Sequence, residues 1–119
     1  MDLLPTRVDS SSAEFVSNDR HHRKLLDQFR ERLARIRKGG SESAVATQRK
    51  RGKLLVRERV ERLSDPETPF LELSPFAAWD RHENEVPAAG IVTGVARVSG
   101  RECVVVANDA TVKGGTYFP

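Results

Sequence analysis

The strongest constraint on this chain is a pair of apolar runs separated by Ser99-Gly100. The first is Ile91-Val92-Thr93-Gly94-Val95-Ala96-Arg97-Val98 and the second Arg101-Glu102-Cys103-Val104-Val105-Val106-Ala107. β-Branched residues dominate both, which suits a pleated, half-buried surface. A two-residue Ser-Gly link between such runs predicts a β-hairpin with a primed turn. The stretch over residues 103–107 is uninterrupted and apolar, as in a strand covered on both faces. Little chain follows it before Pro119, so the covering layer has to come from elsewhere.

At 119 residues there is room for one domain. The polar front end leaves it a thin core. We read residues 1–16, with Ser10-Ser11-Ser12 and few apolar positions, as a disordered tail. Residues 17–119 form the folded part. Ser17, Asn18 or Asp19 is expected to cap a first helix running to about Lys38. Its apolar positions Leu25, Leu26, Phe29, Leu33 and Ile36 form one stripe. Gly39-Gly40 closes it, and Ser41 opens a second helix whose apolar content is Ala44-Val45-Ala46. A third helix is expected over residues 57–63, with Val60 and Leu63 facing inward. Ser64-Asp65-Pro66 starts a turn, and Phe70-Leu71-Glu72-Leu73 alternates like a strand. Helices precede strands, which predicts an α+β fragment or the helical preface to a larger α/β layer.

Charge divides along the same line. Residues 1–64 carry 16 basic and nine acidic residues, a surplus of +7, while residues 65–119 carry four and eight, a balance of −4. A basic helical half attracts polyanions: nucleic acid, anionic lipid or a phosphorylated cofactor. No run approaches the ~18 apolar residues of a membrane helix. Leu3-Leu4 is cut off by Pro5, Arg7 and Asp9, so no signal-peptide core follows Met1. A cytoplasmic location, without membrane contact, is expected. The single cysteine, Cys103, reads as a small buried hydrophobe in its strand. It excludes an internal disulfide and a multi-cysteine metal site. His82 lies near Asp80, Glu83 and Glu85, which loop polarity accounts for, and no metal is expected.

Two clusters carry more chemistry. In Gln48-Arg49-Lys50-Arg51-Gly52-Lys53-Leu54, cations surround a glycine, an arrangement that lets side chains and backbone N–H groups converge on a phosphate. In Asp109-Ala110-Thr111-Val112-Lys113-Gly114-Gly115-Thr116, a loop leaves a buried strand with paired glycines, where α/β proteins place ligand sites. A solvated basic linker and a tight structural turn are the plain alternatives.

Several ordered blocks add a resemblance. Arg51-Gly52-Lys53-Leu54-Leu55 followed by Arg57-Glu58-Arg59, then Leu63-Ser64-Asp65-Pro66, Pro69-Phe70-Leu71-Glu72-Leu73-Ser74, Gly90-Ile91-Val92-Thr93-Gly94 and Ala107-Asn108-Asp109-Ala110-Thr111-Val112-Lys113-Gly114-Gly115 together resemble the N-terminal part of the carboxyltransferase (β) subunit of biotin-dependent acyl-CoA carboxylases. The Ala-Asn-Asp-Ala-Thr-Val-Lys-Gly-Gly form is similar to the methylcrotonyl-CoA and geranyl-CoA branch. The match covers roughly residues 18–119.

The resemblance implies the start of a crotonase-like domain built of stacked ββα units. It implies carboxyl transfer from carboxybiotin to the γ-carbon of 3-methylcrotonyl-CoA or a related enoyl-CoA, with the biotin ureido group taking the proton. It further implies biotin carried by a partner α subunit with biotin carboxylase and carrier parts, assembly with other β subunits, and acyl-CoA binding in this N-terminal region. Arg51 and Lys53 are then expected at the CoA phosphates, and Lys113, Gly114 and Gly115 at the rim of the acyl site. No catalytic side chain is expected in this stretch. The oxyanion donors and the helices covering residues 103–107 are implied to lie beyond Pro119, so these residues alone should be inactive, with that strand under-packed. A small basic nucleic-acid-binding module would need aromatic residues near the basic patch, and Phe29 belongs instead to the apolar stripe. A non-catalytic helical docking fragment is the other alternative.

Overall fold

The computed structural model describes residues 5–116, and three helices precede a three-stranded antiparallel sheet. The chain divides into two units, Met1–Arg32 and Leu33–Pro119.

The first unit is the N-terminal turn and most of a long helix, α1, Ala13–Arg37. The helix begins four residues inside the stretch read as a disordered tail. The serine run supplies the reason. The Ser12 hydroxyl accepts from the Phe15 N–H at 3.2 Å, an N-cap bond. Asp9 braces that cap, its carboxylate accepting from the Ser11 N–H and hydroxyl. Along the helix, Arg23 pairs with Asp19 at 2.7 Å one turn away. Leu25, Leu26 and Phe29 of the apolar stripe stay 44–49% exposed, and Phe15 near the start of the helix is 40% exposed. Residues 1–4 of the expected tail lie outside the described residues.

In the second unit, α1 ends at a left-handed Gly39, whose N–H donates to the Ile36 carbonyl. Helix α2, Glu42–Lys50, follows at once, its N-cap Ser41 hydroxyl accepting from the Ala44 N–H. Helix α3, Val56–Leu63, turns Val56 and Val60 inward and leaves Leu63 exposed, contrary to expectation, because Leu63 is its last residue. Glu58 fixes the connection between the two helices. Its carboxylate accepts from the Leu55 N–H at 2.8 Å and from both terminal nitrogens of Arg49, at 2.8 and 2.5 Å. These bonds, led by the one from Arg49, hold the Glu58 carboxyl below its ordinary 4.5. A depressed folded value stabilises the protein above 4.5, and that contribution disappears as pH falls through the folded value. The stability difference between wild type and Glu58→Gln should therefore be constant near neutrality and close in acid, as read from denaturant midpoints. A difference that persists unchanged in acid would show that the pair does not hold this connection.

The sheet order is β1-β2-β3, with β1 Leu71–Leu73, β2 Ile91–Val98 and β3 Arg101–Asn108. Ser99 and Gly100 both have positive φ, 51° and 77°, as a type I′ turn requires. Asp65, directly after α3, clasps this turn. Its carboxylate accepts from the Ser99 and Gly100 N–H groups at 2.6 and 2.7 Å.

One sheet face packs under α3. Val60, Ala96 and Val105 form its core, with Phe70, Val98 and Ala107 against them. A partly buried ion pair between Arg57 and Glu72 ties α3 to β1. The other face brings Leu71 and Val104 to opposite sides of Val95, and Leu73 and Val106 to opposite sides of Thr93. It is open: Leu71, Leu73, Val104 and Val106 are 45–75% exposed. β3 is thus covered on one face only and is under-packed as expected. Cys103 is exposed, not the buried hydrophobe expected. It lies two residues closer to the turn than Val105, the only buried residue of β3.

Candidate functional site: the 108–115 loop and the turn after α2

The loop leaving β3 is held by a buried Asp-x-Thr turn. The Asp109 N–H donates to the Gly90 carbonyl at 2.8 Å. Its carboxylate, on a residue only 5% exposed, accepts from the Thr111 N–H at 2.9 Å and the Thr111 hydroxyl at 2.6 Å. The Thr111 hydroxyl oxygen in turn accepts from the Gly40 N–H at 2.9 Å. A Cβ placed on Gly40 would lie 1.9 Å from the Thr111 carbonyl oxygen, so only glycine allows the two backbones to meet. The loop is thereby fastened to the junction of α1 and α2. Val112 is buried after it, and a 3-10 turn, Lys113–Gly115, follows. Asn108 closes the loop by donating its amide N–H to the Gly115 carbonyl at 2.9 Å.

The five residues singled out in the sequence gather around α2 and this loop, but in separate grooves. Arg51, the residue at the C-terminal end of α2, shares a groove of about 230 Å³ with Ser43, Thr47, Gln48 and Ala110. Gly52 then reverses the chain at φ 69°. Lys53 lines the adjoining groove, about 250 Å³, with Gln48, Leu54 and Arg59. Gln48 borders both, and its side-chain N–H reaches the Leu54 carbonyl at 3.4 Å. Lys113 lies across the loop in a third groove, with Arg35, Lys38, Ser41 and Glu85. Its ammonium donates to Glu85 at 2.7 Å and holds that carboxyl below its ordinary value. Among the described residues, nothing lies within 4 Å of a Cβ built on Gly114. Gly115 backs onto Ala110, whose Cα would lie 3.5 Å from such a Cβ. So Arg51 and Gly115 meet at Ala110, Lys53 joins them through Gln48, and Gly114 and Lys113 stand apart.

The basic cluster also sorts by pairing. Arg49 is engaged by Glu58 and Arg57 by Glu72. Among the described residues Arg51, Lys53 and Arg59 form no ion pair. Sequence reasoning missed Arg59, Gln48 and the Asp109–Thr111 fastening. The last had a signal, since Asp-x-Thr is an Asx-turn pattern, but its partner Gly40 is 71 residues away. Among the described residues no group of three or more His, Cys, Asp or Glu is placed to hold a metal ion, and no helix is long and apolar enough to cross a membrane.

Comparison with known proteins adds the family. The model of the carboxyl transferase domain matches residues 47–119. The chain is 58% identical over 98 residues to the biotin-dependent 3-methylcrotonyl-coenzyme A carboxylase beta1 subunit of Mycobacterium tuberculosis, covering 82% of this chain and 18% of that protein. It is 48% identical over 118 residues to the mitochondrial methylcrotonoyl-CoA carboxylase beta chain of Dictyostelium discoideum, covering 98% of this chain and 20% of the relative. The beta subunit of P. aeruginosa geranyl-CoA carboxylase superposes with a TM-score of 0.79 at 32% identity, over 98% of this chain and 22% of the other. The chain therefore spans about a fifth of the length of the relatives it matches.

Proposed function

The chain belongs to the carboxyl transferase domain family, and from that premise we propose that it forms the acyl-CoA-binding face of a biotin-dependent carboxyltransferase acting on 3-methylcrotonyl-CoA or a related enoyl-CoA. Arg51 and Lys53 meet the CoA phosphates, and Gly114 and Gly115, with Lys113 held at the edge by Glu85, form the rim of the acyl site. The observation that carries this reading is the adjacency of Arg51 to Ala110 in one groove, which puts a cation with no ion pair among the described residues beside the fastened loop. Cations paired with phosphate oxygens suit a ligand with several phosphate charges.

The chain's own residues bind and orient. The bonds among Asp109, Thr111 and Gly40 fix the loop backbone before any ligand arrives, which lowers the ordering cost of binding. Carboxybiotin, when bound, supplies the carboxyl group. The open space at Gly114 fits a group approaching the rim from outside. In this reading biotin comes on a partner α subunit, further β subunits complete the assembly, and the location is cytoplasmic.

The test is acyl-CoA binding by the full-length protein. Reversing both charges, Arg51→Glu with Lys53→Glu, should weaken acyl-CoA binding by about a hundredfold, because like-charge contact costs several kcal/mol. Isothermal titration reads it directly. An unchanged affinity would remove both residues from the phosphate role.

A further inference from the structure

We propose that Lys53 and Arg59 together form a pocket for a phosphate monoester, the 3′-phosphate of CoA, separate from the Arg51 groove. The inference rests on the acyl-CoA reading above and adds Arg59, a residue the resemblance did not assign.

Two observations carry it. The first is the lining. The groove holds Lys53, Arg59, the Gln48 side chain and Leu54, with no acidic residue among them. The two cations come from different elements, Lys53 from the turn after α2 and Arg59 from α3, and face the same space of about 250 Å³. The Lys113 groove also gathers cations, but there Glu42 and Glu85 line the same wall.

The second is the disposition of the surrounding acids. Glu58, one residue from Arg59, is turned away to Leu55 and Arg49. Glu72 is committed to Arg57. Among the described residues, folding thus assigns counterions to Arg49 and Arg57 and none to Lys53 or Arg59. The clasp on Glu58 also brackets the turn that carries Lys53, and among the described residues no anion lines the groove that the two cations share.

Charge matching then selects the ligand group. A phosphate monoester carries about −1.5 to −2 charges near neutral pH. Each phosphate of a diphosphate ester carries about one. The Lys53/Arg59 groove offers two cations and the Arg51 groove one, while the Thr47 hydroxyl and the Gln48 amide already donate to the Ser43 and Leu54 carbonyls. The doubly charged group therefore goes to the pair, and the Arg51 groove, nearer the loop, takes the diphosphate.

The experiment compares CoA with 3′-dephospho-CoA on the full-length protein by isothermal titration. Wild type should bind CoA about tenfold more tightly than dephospho-CoA, the effect of one well-placed charge-assisted contact. Lys53→Gln and Arg59→Gln should each remove most of that preference, weakening CoA while leaving dephospho-CoA within about twofold. Arg59→Lys should keep part of it, since a point charge remains but the planar fork is lost. Both residues are exposed, so the substitutions leave the core intact. A CoA preference that survives both Gln substitutions, equal binding of the two nucleotides by wild type, or equal weakening of both in the variants would overturn the 3′-phosphate assignment while leaving acyl-CoA binding in place. Failure of wild type to bind either nucleotide would instead overturn the acyl-CoA reading itself, and this inference with it.

Discussion

Gly94→Ala should destabilise the protein by about 3 kcal/mol, the upper part of the range for overpacking a filled site. Gly94 lies in the central strand opposite Glu72 of β1 and Val105 of β3. A Cβ there would sit 2.4 Å from two carbons of the Phe70 ring and 2.5 Å from the Leu71 carbonyl oxygen. The ring could swing aside, but the carbonyl belongs to the β1 backbone and its displacement would strain the pairing with β2. Phe70 in turn lies on Val60, Ala96 and Val105, so moving it disturbs the contact between α3 and the sheet. Chemical denaturation of the full-length protein measures the loss. Adding Phe70→Leu should recover part of it, because the two substitutions share one contact and their effects should not add. A midpoint unchanged by Gly94→Ala would mean that the strands are not packed this way.

Asp109→Ala should cost about 2–4 kcal/mol and weaken acyl-CoA binding together with stability. The carboxylate is the acceptor for two donors of Thr111, and Thr111 is only 6% exposed, so the alanine leaves a buried N–H and a buried hydroxyl to find new partners. Unmade hydrogen bonds to buried donors carry that order of penalty. Asp109→Asn keeps an acceptor oxygen and should lose roughly 1 kcal/mol, the charge-assisted part of the bonds. The difference between the two variants, read by denaturation and by acyl-CoA titration, separates the role of the oxygen from that of the charge. If alanine and asparagine were equivalent, the carboxylate would not be what holds the loop.

These two sites show where sequence reading succeeds and where it stops. The elements were legible because their signals are local. Ser41 caps α2, Gly39 ends α1, and Ser99-Gly100 makes the hairpin turn, each within a few residues of the structure it specifies. The start of α1 was missed for a local reason as well, since Ser10-Ser11-Ser12 suggests a disordered tail until Ser12 is seen accepting from Phe15. The interactions between elements were not legible. Asp65 reads as a turn residue before proline, yet its carboxylate serves a turn more than 30 residues on. Gly40 reads as the second glycine of a helix stop, yet it is required by the Thr111 carbonyl. The candidate site was half legible for the same reason. The basic cluster and the glycine loop stand out by composition, but which cations keep a free charge depends on Glu58 and Glu72, whose choices of partner only the fold makes.

The open sheet face has a thermodynamic consequence for these 119 residues taken alone. Leu71, Leu73, Val104 and Val106 already meet water in the folded state, so unfolding wets little further apolar surface on that side. Both the heat-capacity increment and the denaturant sensitivity of unfolding scale with newly wetted surface. The segment by itself would therefore melt over a broad range of temperature and denaturant, and a contact that dried this face would sharpen the transition even if the hairpin geometry stayed as it is.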